Sequence, residues 1–139
     1  MKNAQALIDS GPIIALFNRK DRFHTKSLAF LKDYRGSLIT TWPVITESMY
    51  MLSFSQTVQV NLLEWIERGA LSIADLSATD IEYIKKRIAR YSDIPMDLAD
   101  ASLMCVAERD GIMNVVSIDS DFSIYRTQKG KFLRNLMSV

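Results

Sequence analysis

Short apolar runs rich in β-branched residues alternate along the chain with longer stretches in which apolar residues recur at helical spacing. This alternation predicts an α/β domain, because parallel strands are buried on both faces and are joined by helices. No internal repeat or low-complexity stretch interrupts the pattern. We therefore expect one domain over residues 1–139, with a central parallel sheet of about five strands flanked by helices.

Turn and capping signals give the boundaries of these elements. The predicted strands are 4–8, 37–40, 71–73 and 114–118, and the main predicted helices are 24–34, 58–68 and 97–109. Ser10 is expected to cap a first short helix and Asp97 the helix over 97–109, because both side chains accept hydrogen bonds from free N–H groups. Gly111 supplies the left-handed residue that ends the latter helix. The tail is expected to be irregular to about Gly130 and then to form a late strand or a short helix.

Composition narrows the chemistry that the chain can carry. One His and one Cys cannot supply a His/Cys zinc site, so any metal must be held by oxygen atoms. The chain has 17 Lys and Arg against 16 Asp and Glu, and this net charge of +1 does not by itself favour a nucleic-acid partner. No apolar run approaches the ~20 residues that span a bilayer, and the first residues lack a signal-peptide core. We expect a cytoplasmic protein without a membrane partner.

Four acidic residues stand where predicted strands end or predicted helices begin. Asp9 and Asp119 follow strands, whereas Glu47 and Asp100 lie in early turns of helices. Ligands of parallel sheets bind outside the carboxyl ends of the strands, so these acids are expected to converge. Clustered carboxylates in apolar surroundings repel one another and take up protons unless a cation neutralises them. The pattern therefore favours Mg²⁺ or Mn²⁺ and phosphodiester hydrolysis.

Each acid also has a purely structural interpretation. Asp9 can close a turn, and Glu47 can be an ordinary exposed helix residue. Asp97 is most simply a helix cap, yet it is spaced i, i+3 from Asp100 on the same face, so it can also join a metal shell. Asp121 can serve either a turn or a metal. The residues alone leave these alternatives open.

Four segments carry the acids in a distinctive order: Leu7-Ile8-Asp9-Ser10-Gly11-Pro12, Thr46-Glu47-Ser48, Asp97-Leu98-Ala99-Asp100-Ala101 and Ser117-Ile118-Asp119-Ser120-Asp121-Phe122. Together they resemble the PIN-domain ribonucleases, particularly the VapC-like toxins of type II toxin–antitoxin pairs. The resemblance spans nearly the whole chain. One departure is Ser117, where the family usually has Thr, and this change keeps the hydroxyl group.

The resemblance implies an endoribonuclease that depends on one or two Mg²⁺ or Mn²⁺ ions. Asp9, Asp100 and Asp119 would hold the metal, and Glu47 would complete the shell directly or through water. We expect hydroxyl groups to orient the carboxylates, with Ser10 and Ser117 as the candidates. The implied partners are an RNA substrate, an antitoxin protein and a second copy of the chain in a homodimer. A non-catalytic RNA-binding or protein-interaction module is the alternative.

Basic residues are the candidates to contact the RNA backbone. They are Arg19, Lys20, Arg22, Lys26, Arg126, Lys129 and Lys131. An ordinary solvated surface explains them equally well. If the four acids form a metal cluster, excluding their charges leaves a net charge of +5 on the remainder of a chain whose total is +1. A near-neutral net charge is therefore compatible with an acidic pocket surrounded by a basic surface.

Overall fold

The computed structural model describes residues 4–137. Its strands are β1 (Ala4–Ile8), β2 (Gly36–Thr40), β3 (Ser72–Ile73), β4 (Asn114–Val116) and β5 (Arg134–Asn135). Its helices are α1 (Ser10–Phe17), α2 (His24–Asp33), α3 (Trp42–Met51), α4 (Gln56–Glu67), α5 (Ile81–Arg90) and α6 (Leu98–Asp110). The predicted α/β fold with a five-stranded parallel sheet is confirmed. The domain bounds 1–139 stay a prediction, and residues 1–3 and 138–139 lie outside the described part.

The sheet is parallel throughout and has the strand order β3-β2-β1-β4-β5. The central strand β1 pairs with β2 on one side and with β4 on the other, so Leu7 lies opposite both Ile39 and Val115. From β1 the chain therefore builds the sheet outward in one direction through β2 and β3, and then in the opposite direction through β4 and β5. A crevice forms outside the carboxyl ends of the strands at such a switch point, and Asp9 follows β1 directly at this edge.

The core is built around β1 and α6. Ala6, Leu7 and Ile8 are almost completely buried, as are residues 101–107 of α6. Helix α6 packs against α3 and α5, which explains why its sequence is apolar nearly all round. Gly111 ends α6 in the left-handed conformation, with φ at 70°, as predicted. This close packing fixes the start of α6, where Asp100 lies.

The predicted cap of the first helix is wrong by one residue. Asp9, not Ser10, is the N-cap of α1: it has extended backbone angles, and its Oδ1 accepts a hydrogen bond from the Ser10 N–H at 2.8 Å. Ser10 is the first helical residue. Asp caps helices as well as Ser does, and the buried strand that precedes Asp9 places its side chain over the free N–H groups.

Strand β4 ends two residues earlier than predicted, at Val116 rather than Ile118. After Val116, the side chain of Asn135 bonds to the main chain of Ser117, where a neighbouring strand would otherwise supply backbone partners. Its Oδ1 accepts from the Ser117 N–H at 3.2 Å, and its Nδ2 donates to the Ser117 carbonyl at 2.9 Å. The backbone groups of Ser117 are thus satisfied outside the sheet, and the chain can turn toward Asp119.

The tail agrees in outline with its prediction. A 3₁₀ turn over Ser120–Ser123 is followed by irregular structure and then by the late strand β5. No helix in the described residues 4–137 has both the length and the apolar character needed to cross a membrane.

Candidate active site

An acidic pocket of about 330 Å³ lies at the carboxyl edge of the sheet, beside the ends of β1 and β4. Six carboxylates line it: Asp9, Glu47, Asp97, Asp100, Asp119 and Asp121. Ser10, Ile14, Met51 and Pro95 complete much of the wall. The structure thus brings together every acid that the sequence singled out, although they are spread over more than a hundred positions. Their catalytic or metal-binding roles stay predictions.

Three of these acids lie at the starts of helical segments. Asp9 caps α1, Asp97 caps α6 by accepting from the Asp100 N–H at 2.8 Å, and Asp119 caps the 3₁₀ turn by accepting from the Asp121 N–H at 3.1 Å. The predicted cap at Asp97 is therefore confirmed. The partial positive charge at a helix N-terminus favours nearby negative charge, so these caps offset part of the repulsion among the carboxylates.

Hydroxyl groups hold three of the carboxylates. Ser10 Oγ donates to Glu47 Oε1 at 2.9 Å, and Ser117 Oγ donates to Asp9 Oδ2 at 3.2 Å. These contacts are of the kind predicted for the two serines. The third donor, Tyr125, is not predicted by the sequence pattern: its hydroxyl donates to Asp100 Oδ2 at 3.2 Å. Tyr125 lies in the tail expected to be irregular, where no periodic pattern could have indicated its contact.

Burial raises the pKa of three of these carboxyl groups. Asp9 is 6% exposed, and its burial, opposed by hydrogen bonds from Ser10 and Ser117, raises its pKa to about 6. Burial, together with the negative charges of Asp9 and Asp97, raises the pKa of Asp100 to about 8. Asp121 has a raised pKa as well, because of burial and the charge of Asp119. A cation in the pocket would relieve this cost.

The donor chemistry of the pocket fits a hard divalent cation, since the pocket offers carboxylate and hydroxyl oxygen atoms. The carboxylates of the pocket are nevertheless spread apart. Across residues 4–137, no three Asp, Glu, His or Cys side chains are already grouped so that they could hold a metal ion together. Binding of a cation would have to draw the carboxylates closer together.

The predicted RNA-binding residues lie elsewhere. Arg19 and Lys20, beyond the far end of α1, line a separate cavity of about 1010 Å³, and Lys129 and Lys131 line another of about 310 Å³. The remaining three are Arg22, which lies over the Phe23 ring, Lys26, which is exposed on α2, and Arg126, which lies over the Phe132 ring. None of the seven lines the acidic pocket, as far as the described residues show. Their contacts with RNA stay a prediction.

The fold and pocket define an α/β protein with a carboxylate-lined site at the switch point of a parallel sheet. The model of the PIN domain family matches residues 6–127, and the chain belongs to this family. The predicted membership of the PIN domain family is thereby confirmed.

Comparison with known proteins adds named relatives. The chain is 23% identical over 115 residues to Ribonuclease VapC26 of Mycobacterium tuberculosis, covering 81% of this chain and 85% of the relative. It resembles the crystal structure of M. tuberculosis VapC20, a sarcin-ricin loop cleaving toxin, with a TM-score of 0.80 and 20% identity over 86% of this chain and 93% of that one. A second match is VapBC2 from Rickettsia felis bound to a DNA fragment from its promoter, with a TM-score of 0.58, 14% identity and coverages of 86% and 92%.

Proposed function

We propose that this chain is a divalent-metal-dependent endoribonuclease and the toxin of a type II toxin–antitoxin pair. The observation that carries the proposal is the pocket of six carboxylates at the switch point of a PIN-domain sheet. The relatives support it, because one is a ribonuclease and another is a toxin that cleaves the sarcin-ricin loop. RNA, single-stranded or structured, is the proposed substrate.

Asp9, Asp100 and Asp119 are the proposed metal-holding residues, with Glu47 acting directly or through water. Held by these residues, Mg²⁺ or Mn²⁺ would supply Lewis-acid chemistry, namely a lowered pKa of bound water and neutralisation of charge on phosphate oxygens. The chain itself supplies orientation: the Ser10 and Ser117 hydroxyls fix Glu47 and Asp9. Within residues 4–137 no Lys or Arg lines this pocket, so an RNA phosphate is expected to bind there only when the carboxylate charge is neutralised.

A cleavage assay tests the proposed reaction. Purified protein is incubated with end-labelled single-stranded and hairpin RNAs in Mg²⁺, in Mn²⁺ or in EDTA. Cleavage is expected with either metal and not in EDTA. Asp100→Asn and Asp119→Asn should each reduce cleavage by at least about a hundredfold, because each removes a charged ligand at the reacting centre.

Asp110→Asn is the matched control for these variants. Asp110 lies at the opposite end of α6 from Asp100 and pairs with Arg109, so its loss should leave cleavage unchanged. Full activity in both pocket variants, or equal activity in EDTA, would refute the proposal. A nuclease contaminant would be equally present in Asp110→Asn and in the two pocket variants prepared in the same way.

A non-catalytic RNA-binding or interaction module is the second candidate. The absence, within the described residues, of three acids already grouped for a metal favours it. Calorimetric titration with Mn²⁺ separates the two candidates. The nuclease is expected to bind Mn²⁺ with an affinity that Asp9→Asn and Asp100→Asn both reduce, whereas a binding module need not bind the ion at all.

The proposed partners are an antitoxin protein and a second copy of this chain, acting in the cytoplasm. The antitoxin is supported by the Rickettsia felis VapBC2 match. Large apolar side chains exposed on and between α3 and α4, among them Trp42, Tyr50, Phe54 and Val60, offer surface for protein contacts. Light scattering of the purified chain should report twice the monomer mass. If a small protein is encoded immediately upstream of this gene, co-expression with it should yield a complex in which cleavage is inhibited.

A further inference from the structure

Tyr125 is completely buried, yet its hydroxyl contacts Asp100, one of the carboxylates that line the acidic pocket. The single hydroxyl hydrogen faces two acceptors at 3.2 Å, the Pro95 carbonyl and Asp100 Oδ2. A phenol is more acidic than an aliphatic hydroxyl and is therefore a strong hydrogen-bond donor to a carboxylate. Tyr125 thus contacts a proposed metal-holding residue from the side that is covered by protein.

The ring of Tyr125 is held in place by other aromatic rings. Tyr91 and Phe122 meet it edge to face, with centroid distances of 5.1 and 5.4 Å. The three rings come from the residue directly after α5, from the 3₁₀ turn after Asp119 and from the segment that follows this turn. Such a close-packed cluster leaves the ring little freedom to rotate its hydroxyl away from Asp100.

The backbone around Tyr125 is anchored to the same two elements. The Tyr125 N–H donates to the Asp121 carbonyl at 3.1 Å, which ties it to the 3₁₀ turn. On the other side, the Arg126 N–H donates to the Tyr91 hydroxyl at 2.7 Å, and Arg87 Nη1 donates to the Arg126 carbonyl at 3.2 Å. Helix α5, which contributes no acid to the pocket, and the residue after it thus help to anchor the segment that carries Tyr125.

The hydroxyl of Tyr125 completes a pattern among the pocket carboxylates. Asp9 receives the Ser117 hydroxyl and Glu47 receives the Ser10 hydroxyl. The bond from the Asp100 N–H to Asp97 fixes the main chain of Asp100 but not its carboxylate. The Tyr125 hydroxyl is therefore the group placed to orient the Asp100 carboxylate.

We propose that Tyr125 is a positioning residue that orients the Asp100 carboxylate for metal binding. The inference rests on the proposed function, since it assigns Tyr125 a role in the same site. It does not follow from the four acidic segments, because Tyr125 lies outside all of them. Groups behind metal ligands typically contribute a factor of about 10 to 100 in metal affinity or activity.

The test is Tyr125→Phe, which keeps the ring and removes the hydroxyl. Manganese affinity is measured by calorimetry, and kcat and KM for RNA cleavage are measured at saturating Mn²⁺. We expect Mn²⁺ to bind at least about tenfold more weakly and kcat to fall while KM is unchanged. A residue with a structural role only would lower the melting temperature without changing the Mn²⁺ affinity of the folded protein.

Tyr83→Phe is the matched control. The Tyr83 hydroxyl also donates to α6, at the Met104 carbonyl 3.3 Å away, but it touches no pocket carboxylate. Its loss should leave Mn²⁺ affinity and kcat unchanged. If Tyr125→Phe fails to fold, Tyr91→Phe is used instead. This variant removes the acceptor of the Arg126 N–H, so the segment that carries Tyr125 is held less firmly while the Tyr125 hydroxyl is kept. A smaller loss of Mn²⁺ affinity is then expected.

Wild-type Mn²⁺ affinity and kcat in the folded Tyr125→Phe protein, or in Tyr91→Phe if it is the variant used, would overturn the assignment. Asp100→Asn separates this failure from that of the proposed function. If Asp100→Asn loses Mn²⁺ affinity and Tyr125→Phe does not, only the role of Tyr125 is refuted. If the wild-type protein binds no Mn²⁺ and cleaves no RNA, the proposed function is refuted and the role of Tyr125 with it.

Discussion

The buried carboxyl of Asp9 should make the metal-free protein less stable as the pH rises. In the folded chain its pKa is raised from 3.8 to about 6, mainly by burial. Between these values the folded state binds a proton that the unfolded state has released, so the free energy of unfolding falls with increasing pH. The loss begins near pH 4 and is complete above about pH 6. At roughly 1.4 kcal/mol per pKa unit, it amounts to about 3 kcal/mol.

The variant Asp9→Asn removes this titration while keeping the shape of the side chain. The amide oxygen can still accept the Ser10 N–H bond that caps α1, and the Ser117 hydroxyl can accept from the amide nitrogen. Allowing about 1 kcal/mol for weaker hydrogen bonds, we expect the variant to be more stable than the wild type by about 2 kcal/mol at pH 8. The difference should shrink toward pH 4.

Urea unfolding in EDTA, followed by the fluorescence of Trp42 and Trp65, measures this difference at pH 4 and pH 8. The slope of the free energy against urea should be the same for both proteins, so the midpoints report stability directly. The reasoning is refuted if Asp9→Asn is no more stable than the wild type at pH 8, or if the difference is the same at both pH values. With Mn²⁺ added, the proposed function predicts that the wild type gains more stability than the variant.

Three further substitutions test other parts of the molecule. Gly111→Ala should lower stability by about 1 kcal/mol in thermal unfolding, because φ is 70° there, and it should leave cleavage unchanged since the site is at the far end of α6. Asn135→Ala should lower the free energy of unfolding by about 1 to 3 kcal/mol, because the buried backbone of Ser117 loses two hydrogen-bond partners. The control Asn114→Ala loses one exposed hydrogen bond to Gln5 and should lower it by less than about 1 kcal/mol. Ser10→Ala should reduce kcat about tenfold, because the Glu47 carboxylate loses the hydrogen bond that orients it. The melting temperature should change little, since Glu47 is exposed. An unchanged kcat would argue against a role for the Ser10 hydroxyl.

The sequence could predict those features that depend on neighbours along the chain. The buried run that ends in Asp9 indicated β1, and Asp97 with Gly111 correctly marked the two ends of α6. The four acids could be placed at one edge because parallel strands share an edge whatever their spacing in sequence.

The features that could not be predicted depend on contacts between distant segments. The Tyr125 hydroxyl meets Asp100 across 25 positions, after the tail has folded back over the end of α5. Strand β4 stops early because of a side chain 18 positions further on, Asn135. The basic residues Arg19 and Lys20 are close in sequence to Asp9, yet the 8-residue helix α1 carries the chain about 12 Å away from the pocket.

The strand order also has a consequence in time, during synthesis of the chain. The central strand β1 is made about thirty residues before its neighbour β2 but more than a hundred residues before its other neighbour, β4, at residues 114–116. Asp119 and Tyr125 follow later still. A nascent chain that still lacks this last segment has neither a closed crevice beside β1 nor a complete set of acids. If the chain is a ribonuclease, a ribosome translating its message is therefore exposed to no finished active site before the segment that carries Asp119 and Tyr125 has been made.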